Sequence, residues 1–354
     1  MRANLVLVAF HAPEVSWLWA GDARVNQSRV PGSVCAETRR TKARRQKTIE
    51  VSTNSGAGMS VQIFYDPEGF ELDSIGKKTK SGDPADGDTP YVRLPVRMLG
   101  IDTPETNYPG VGSPAKSDDR LKELADWIQQ GHAPITDDLA AHLHPRLDTG
   151  TAGTLQKNHG DQAKAAFKTA LDTRMTRPTG TTRPFFINLA DEKFDHYGRM
   201  LAYVAPSFSS QEFQNTTPHD RRSFNLQMIE LGWAATLLIY PSLPKYSDLV
   251  LTYDAAKSAI ENGRGAWADA NTVLTGYEWR MCIKLHKATK RLVAGENLKS
   301  WEREGWVQRY CFDLTTRQVF DPQDYIKVPP EARGFIFPND MRRAVGDLNL
   351  TPGD

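Results

Sequence analysis

Cysteine is scarce in this chain of 354 residues: Cys35, Cys282 and Cys311 lack the paired spacing of a structural metal site and are too few for a disulfide framework. A Cys282 to Cys311 bridge stays open. Long apolar runs are absent too; none approaches the roughly 20 residues of a bilayer-spanning helix, so no membrane span is expected. Net charge is nearly nil at +1, but it averages over two basic stretches. One is residues 39–47 (RRTKARRQK), and the other is residues 279–309, with eight Lys or Arg against three Glu. At 39% hydrophobic and 25% charged, the chain has the composition of a globular protein with one main domain and smaller appendages.

Residues 1–58 carry no sustained period of 2 or 3.6 and are expected to be a disordered or leader segment. Leu5 to Phe10 is apolar behind Arg2, but His11 and Pro13 interrupt it. It makes a poorly formed secretory signal, and the chain leans toward the cytoplasm. Met59 stands just before the first alternating segment, where folded chain, or translation itself, is expected to begin.

Val61, Ile63 and Tyr65, the turn Asp66-Pro67-Glu68-Gly69, then Phe70 and Leu72 read as a hairpin. A polar loop follows over residues 77–90. Tyr91 to Ile101 reads as a strand that tolerates Pro95 only at an edge or bulge. Residues 108–158 read as an irregular insertion with one helix, marked by Leu121, Leu124, Ala125 and Ile128. A second helix is expected over residues 161–175. Strands at residues 184–189 and 199–204 flank a loop, and helices follow near Phe224 to Leu231 and Ser247 to Gly263. Five strands with one interposed helix make an α+β chain of the OB-fold barrel type, with about three packed helices.

Over residues 277–354, Trp279, Met281, Ile283 and Leu285 alternate with Arg280 and Lys284. Trp306, Gln308, Tyr310, Phe312 and Leu314 share a strand face, so a small β-rich appendage is expected. Its basic residues interleaved with Trp suit stacking on nucleic acid. An apolar face packed on the main domain, with the lysines solvated, accounts for the same pattern.

The residues with chemistry fall in two short stretches. Arg97 stands five residues before Asp102-Thr103-Pro104-Glu105-Thr106, and Asp195-His196-Tyr197-Gly198-Arg199 follows later. Breaking a phosphodiester calls for cations on its oxygens and a carboxylate to orient or deprotonate water, and arginine's planar fork suits the first role. Asp, Pro and Glu are also ordinary turn formers, and Tyr197 is equally a half-buried ring at a barrel rim. Positions 97 and 102 differ by an odd number and would face opposite sides of a regular strand. Gly100 is the expected break in the alternation. His142 and His144, near Asp137 and Asp138, read as a polar surface rather than a metal site, and His196 is expected to face solvent.

Arg-x-x-x-x-Asp-Thr-Pro-Glu-Thr followed by Asp-x-Tyr-Gly-Arg-x-Leu-Ala-Tyr resembles the staphylococcal (thermonuclease-like) nuclease family, over residues 59–268. Gly160-Asp161-Gln162-Ala163, Asn225 and Gly265-Ala266-Trp267 are smaller echoes. The resemblance implies a monomeric, Ca²⁺-dependent nuclease cutting DNA and RNA with little sequence preference and leaving 3′-phosphate ends. Arg97, Glu105 and Arg199 would be catalytic. Asp102, the Thr103 carbonyl and Glu68 would hold calcium, and Tyr197 and Tyr240 would meet the substrate. Asp88, in the literal Asp86-Gly87-Asp88-Thr89, is the alternative to Glu68. These ligands are hard oxygens, which suit calcium better than zinc or copper. A non-catalytic OB-fold module that binds nucleic acid or protein is the alternative function.

Overall fold

The computed structural model describes residues 80–81, 92–106 and 112–353. The expected hairpin, with Glu68, and Asp88 lie outside the described residues, as do residues 1–58.

Strands β1 (Lys80–Ser81) and β2 (Val92–Arg93) pair antiparallel, and Pro95 separates β2 from β3 (Val96–Met98). A proline has no N–H for a ladder, which ends β2 there. Strand β4 (Gly100–Asp102) starts after a turn at Leu99, where Gly100 takes φ +71°. Glycine adopts that backbone without a Cβ penalty, so the chain changes direction and sheet in one residue.

Helices α1 (Pro114–Gln129), α2 (Asp137–Leu147) and α3 (Ala152–Met175) follow, then β5 (Phe185–Phe194) and β6 (Met200–Pro206). Next come α4 (Ser210–Gln214), α5 (Phe224–Glu230), β7 (Ala235–Ile239), α6 (Tyr246–Glu261) and α7 (Gly276–Val293). The chain finishes with α8 (Ser300–Glu304), β8 (Tyr310–Asp313), β9 (Gln318–Phe320), β10 (Arg333–Ile336), α9 (Met341–Leu348) and β11 (Thr351–Pro352). Among the described residues no helix is long and apolar enough to cross a membrane.

One sheet has the order β3-β6-β5, with β3 parallel to β6 and β6 antiparallel to β5. A larger sheet has the order β11-β9-β8-β10-β7-β4. The fold is mixed α+β, as expected, but the described strands form open sheets rather than a closed barrel.

Two expectations are corrected. Residues 108–158 are not irregular: they supply α1, α2 and the first turns of α3. Leu121, Leu124 and Ala125 of α1, and Leu139, Leu143 and Leu147 of α2, are fully buried, each leucine contributing about 1.5–3 kcal/mol of apolar burial. The segment read as an alternating strand from Trp279 to Leu285 is the helix α7. Thr275 and Glu278 cap it reciprocally, with Glu278 N–H on Thr275 Oγ1 at 3.2 Å and Thr275 N–H on Glu278 Oε2 at 2.9 Å. Cys282, His286 and Thr289 are buried beside Trp279, Met281, Ile283 and Leu285, so the apolar residues ring most of the helix. The basic stripe is Arg280, Lys284, Lys287 and Arg291, at helical spacing, and all but Arg280 are exposed.

The C-terminal strands do not stand apart as an appendage. Strand β10 pairs in parallel with β7, placing Gly334 opposite Leu238, while β7 pairs on its other side with β4, placing Ala235 opposite Asp102. The α1 and α2 leucines share one core with Trp279, Cys282, Leu285, Tyr325 and Phe335. Cys282 and Cys311 are both buried and free, so the open bridge is not formed.

Candidate functional site

Asp102 ends β4, and three elements converge on it. The Gly100 turn brings Arg97 back, so that its Nη2 donates to Asp102 Oδ1 at 3.0 Å and to the Ile101 carbonyl at 3.2 Å. Asn225 of α5 fixes that turn from behind. Its amide donates to the Leu99 carbonyl at 2.8 Å and accepts from Val204 N–H at 3.0 Å, tying the β3 to β4 junction to β6.

Helix α3 fixes Glu105. A Cβ on Gly160 would fall 2.9 Å from the Glu105 carbonyl carbon, so only glycine lets α3 approach that backbone. Oriented to satisfy both neighbours, the Gln156 amide accepts from Glu105 N–H at 2.9 Å and donates to the Leu274 carbonyl at 3.0 Å.

The third element comes from α7. Arg280 donates through Nη1 to Glu105 Oε1 at 2.6 Å and through Nη2 to Asp102 Oδ2 at 2.9 Å, bridging the two carboxylates. Burial alone would lower its pKa, but Asp102 and Glu105 outweigh that and hold it above the ordinary arginine range. Gly276, in the first turn of α7, abuts the same place: a Cβ there would lie 2.5 Å from Asp102 Oδ2 and 2.6 Å from the Thr103 carbonyl oxygen. Sequence reasoning placed Arg280 on a strand and gave it no part in the site.

Arg199 stands just before β6. Its register neighbour Leu201 lies opposite Arg97, so two-residue alternation puts Arg199 on the Arg97 face. Its guanidinium is held by Asp195, with Nε on Oδ2 at 2.7 Å, and lies 5.2 Å from the Tyr197 ring centre. Asp195 also accepts the Tyr197 and Arg199 N–H groups, each at 2.9 Å. Burial would raise this carboxyl, but those hydrogen bonds carry it below the usual range. Tyr197 is half-exposed and lies against the exposed His196, their ring centres 3.7 Å apart and their planes tilted by 43°.

Tyr240 is corrected. It is 4% exposed, packs with Phe312, Ile336, Ala344 and Leu350, and donates its hydroxyl to Asp347. It is a core residue of the β7 to α9 layer rather than a substrate contact. His142 is not a plain surface group either: its Nε2 lies 3.0 Å from the buried Glu278 Oε1.

With this geometry in hand, the family comparison is decisive for residues 95–269, which match the family model of the staphylococcal nuclease homologue. Over these residues the chain is similar to the staphylococcal nuclease homologue family. No curated protein matches the chain. The matched residues include Arg97, Asp102, Glu105 and Arg199, while Arg280 lies beyond them. Such a domain points to a nuclease or nucleic-acid-binding function.

Calcium, the family's usual metal, does not fit the described residues as they stand. Both Asp102 oxygens are taken by guanidinium groups, and Gly276 closes on that carboxylate and the Thr103 carbonyl. Among the described residues no group of three or more His, Cys, Asp or Glu is gathered to hold a metal ion.

Proposed function

We propose that the domain hydrolyses phosphodiester bonds of DNA and RNA with little sequence preference, on an OB-fold barrel. The observation that carries this reading is the meeting of Arg97, Asp102 and Glu105 in one cluster, with Arg199 on the same sheet face. Arg97 and Arg199 would grip the non-bridging oxygens and offset charge as the 5′ oxygen leaves. Glu105, once free of Arg280, would orient or deprotonate the attacking water and leave a 3′-phosphate end. Calcium belongs to the reading only after Arg280 has withdrawn from Asp102. Glu68 or Asp88 would then supply the second carboxylate beside Asp102 and the Thr103 carbonyl.

The test is cleavage of single-stranded DNA, duplex DNA and RNA by the full chain, in calcium and in EGTA. Cleavage that needs calcium is expected, falling by about 100-fold or more in Glu105→Gln, the scale of a lost general base. Full activity in EGTA, or in that variant, would sink the reading. The bridging of both carboxylates by Arg280 favours a second reading, a non-catalytic nucleic-acid-binding domain. Binding without cleavage under every condition selects it.

A further inference from the structure

Around the two carboxylates the cations are in excess. Arg97 and Arg280 already pair with Asp102 and Glu105, and the Arg280 charge bears on two more cations, Lys284 and Arg309. Lys284 follows Arg280 by one helical turn on α7, on the face that also carries Tyr277. Arg309 lies over the Tyr277 ring at 5.5 Å and the Phe337 ring at 4.8 Å. Its Nε is buried without a hydrogen-bond partner, and among the described residues no ion pair reaches Arg309 or Lys284.

The electrostatics agree with that geometry. Loss of hydration, then the Arg309 and Arg280 charges, hold the Lys284 ammonium below the ordinary lysine range. Loss of hydration, with the Arg280 and Arg97 charges, likewise lowers Arg309, against the pull of Tyr277 and Asp102. Like charges brought together are unfavourable unless an anion joins them. By contrast, Glu278 has His142 and Tyr325, and Arg291 has Glu296 and Glu302.

We propose that the C-terminal region adds a phosphate-binding subsite, made of Lys284 and Arg309 with Arg280 at its inner edge, for a backbone phosphate of a nucleic-acid strand. This phosphate is the neighbour of the one held at Arg97 and Arg199, so the inference rests on the nucleic-acid reading above. Tyr277 and Phe337 stiffen Arg309 from behind, which keeps its fork open to the ligand. A phosphate between Arg280 and Lys284 also competes with Asp102 and Glu105 for Arg280. Strand binding and release of the carboxylates become one event.

The experiment is fluorescence anisotropy of the full chain with a labelled single-stranded DNA of about 12 nucleotides, a typical length for such a groove. EDTA keeps the strand intact, and a salt series gives the slope of log affinity against log salt. Each lost phosphate contact on a single strand reduces that slope by about 0.7. Lys284→Gln is therefore expected to reduce it by about 0.7, and the pair Lys284→Gln with Arg309→Gln by about 1.4. Arg309→Lys, which keeps the charge and loses the stacking, should retain the wild-type slope. Lys284 is exposed and its variant keeps the test decisive if Arg309→Gln fails to fold. A wild-type chain that binds with the same slope as both variants overturns the subsite and leaves the domain's function standing. A wild-type chain that binds no strand overturns both.

Discussion

Replacing Arg280 with Met keeps most of the side chain's volume and removes the one cation shared by Asp102 and Glu105. Removing one partner of a buried ion pair costs about 3–5 kcal/mol, because the remaining charge stays buried without compensation. The cost here should fall below that range. Asp102, 2% exposed, still has Arg97 at 3.0 Å, and Glu105, with its side chain 27% exposed, can regain water. A loss of about 2 kcal/mol follows, which lowers the melting temperature by about 4–8 °C in a domain of this size. Calcium should then act differently on the two proteins. In the variant Asp102 Oδ2 is released, and a cation at 100 times its Kd would restore about 2.7 kcal/mol. In the wild type the same ion must first displace Arg280, so its gain is smaller. Differential scanning fluorimetry with and without calcium reads both effects. Equal melting temperatures without calcium, or an equal calcium gain in both proteins, would refute the bridging role of Arg280.

Two further outcomes are expected. Glu278 is held down to about 2 from an ordinary 4.5: burial would raise it, but the His142 hydrogen bond, the Arg333 charge and Thr275 N–H prevail. Its folded pKa is the lower one, so its contribution, about 3 kcal/mol, is complete above the unfolded value and is lost as pH falls from about 4.5 toward 2. Acid unfolding of Glu278→Gln should be flatter across that window, and an identical acid limb would contradict the assignment. Tyr240→Phe removes the hydroxyl donated to Asp347 and should lower stability by about 1 kcal/mol while leaving oligonucleotide affinity unchanged. Weaker binding at unchanged stability would return Tyr240 to the substrate side.

The sequence exposes the part of the site that is local. Arg97, Gly100 and Asp102 lie within six residues, and the odd spacing itself requires a break, which Gly100 supplies at φ +71°. Arg280 leaves no such trace, since its bonds to Glu105 and Asp102 span 175 and 178 residues. Its helix is hidden for a different reason. When a helix is buried on most sides, its apolar residues lose the 3.6 period, and here those at 279, 281, 283 and 285 imitate a strand. The helical period survives in the basic stripe from Arg280 to Arg291 and in the Thr275 to Glu278 cap. Helix α2 is obscured by Pro145 in its last turn and by two histidines, although Leu139, Leu143 and Leu147 all face the core. Tyr240 shows the opposite failure: an aromatic residue after a strand reads as a contact surface until α9 and β8 cover it.

The helices before α3 and the chain beyond residue 269 thereby explain each other. Helices α1 and α2, which precede α3, bury their leucines in one core with α7, which begins after the family match ends. Each covers part of the other's apolar surface, since α7 is apolar on most faces and shares its core with the α1 and α2 leucines. Strand β7 is similarly dependent. It lies between β4 and β10, so loss of the C-terminal strands would leave its β10 side as an unpaired edge next to the strand that carries Asp102. The same packing that removes that edge sets the first turn of α7 against Asp102 and directs Arg280 onto both carboxylates. The stability of the C-terminal region and the charge state of the centre are therefore one physical problem: whatever draws Arg280 outward must work against the core that holds α7 in place.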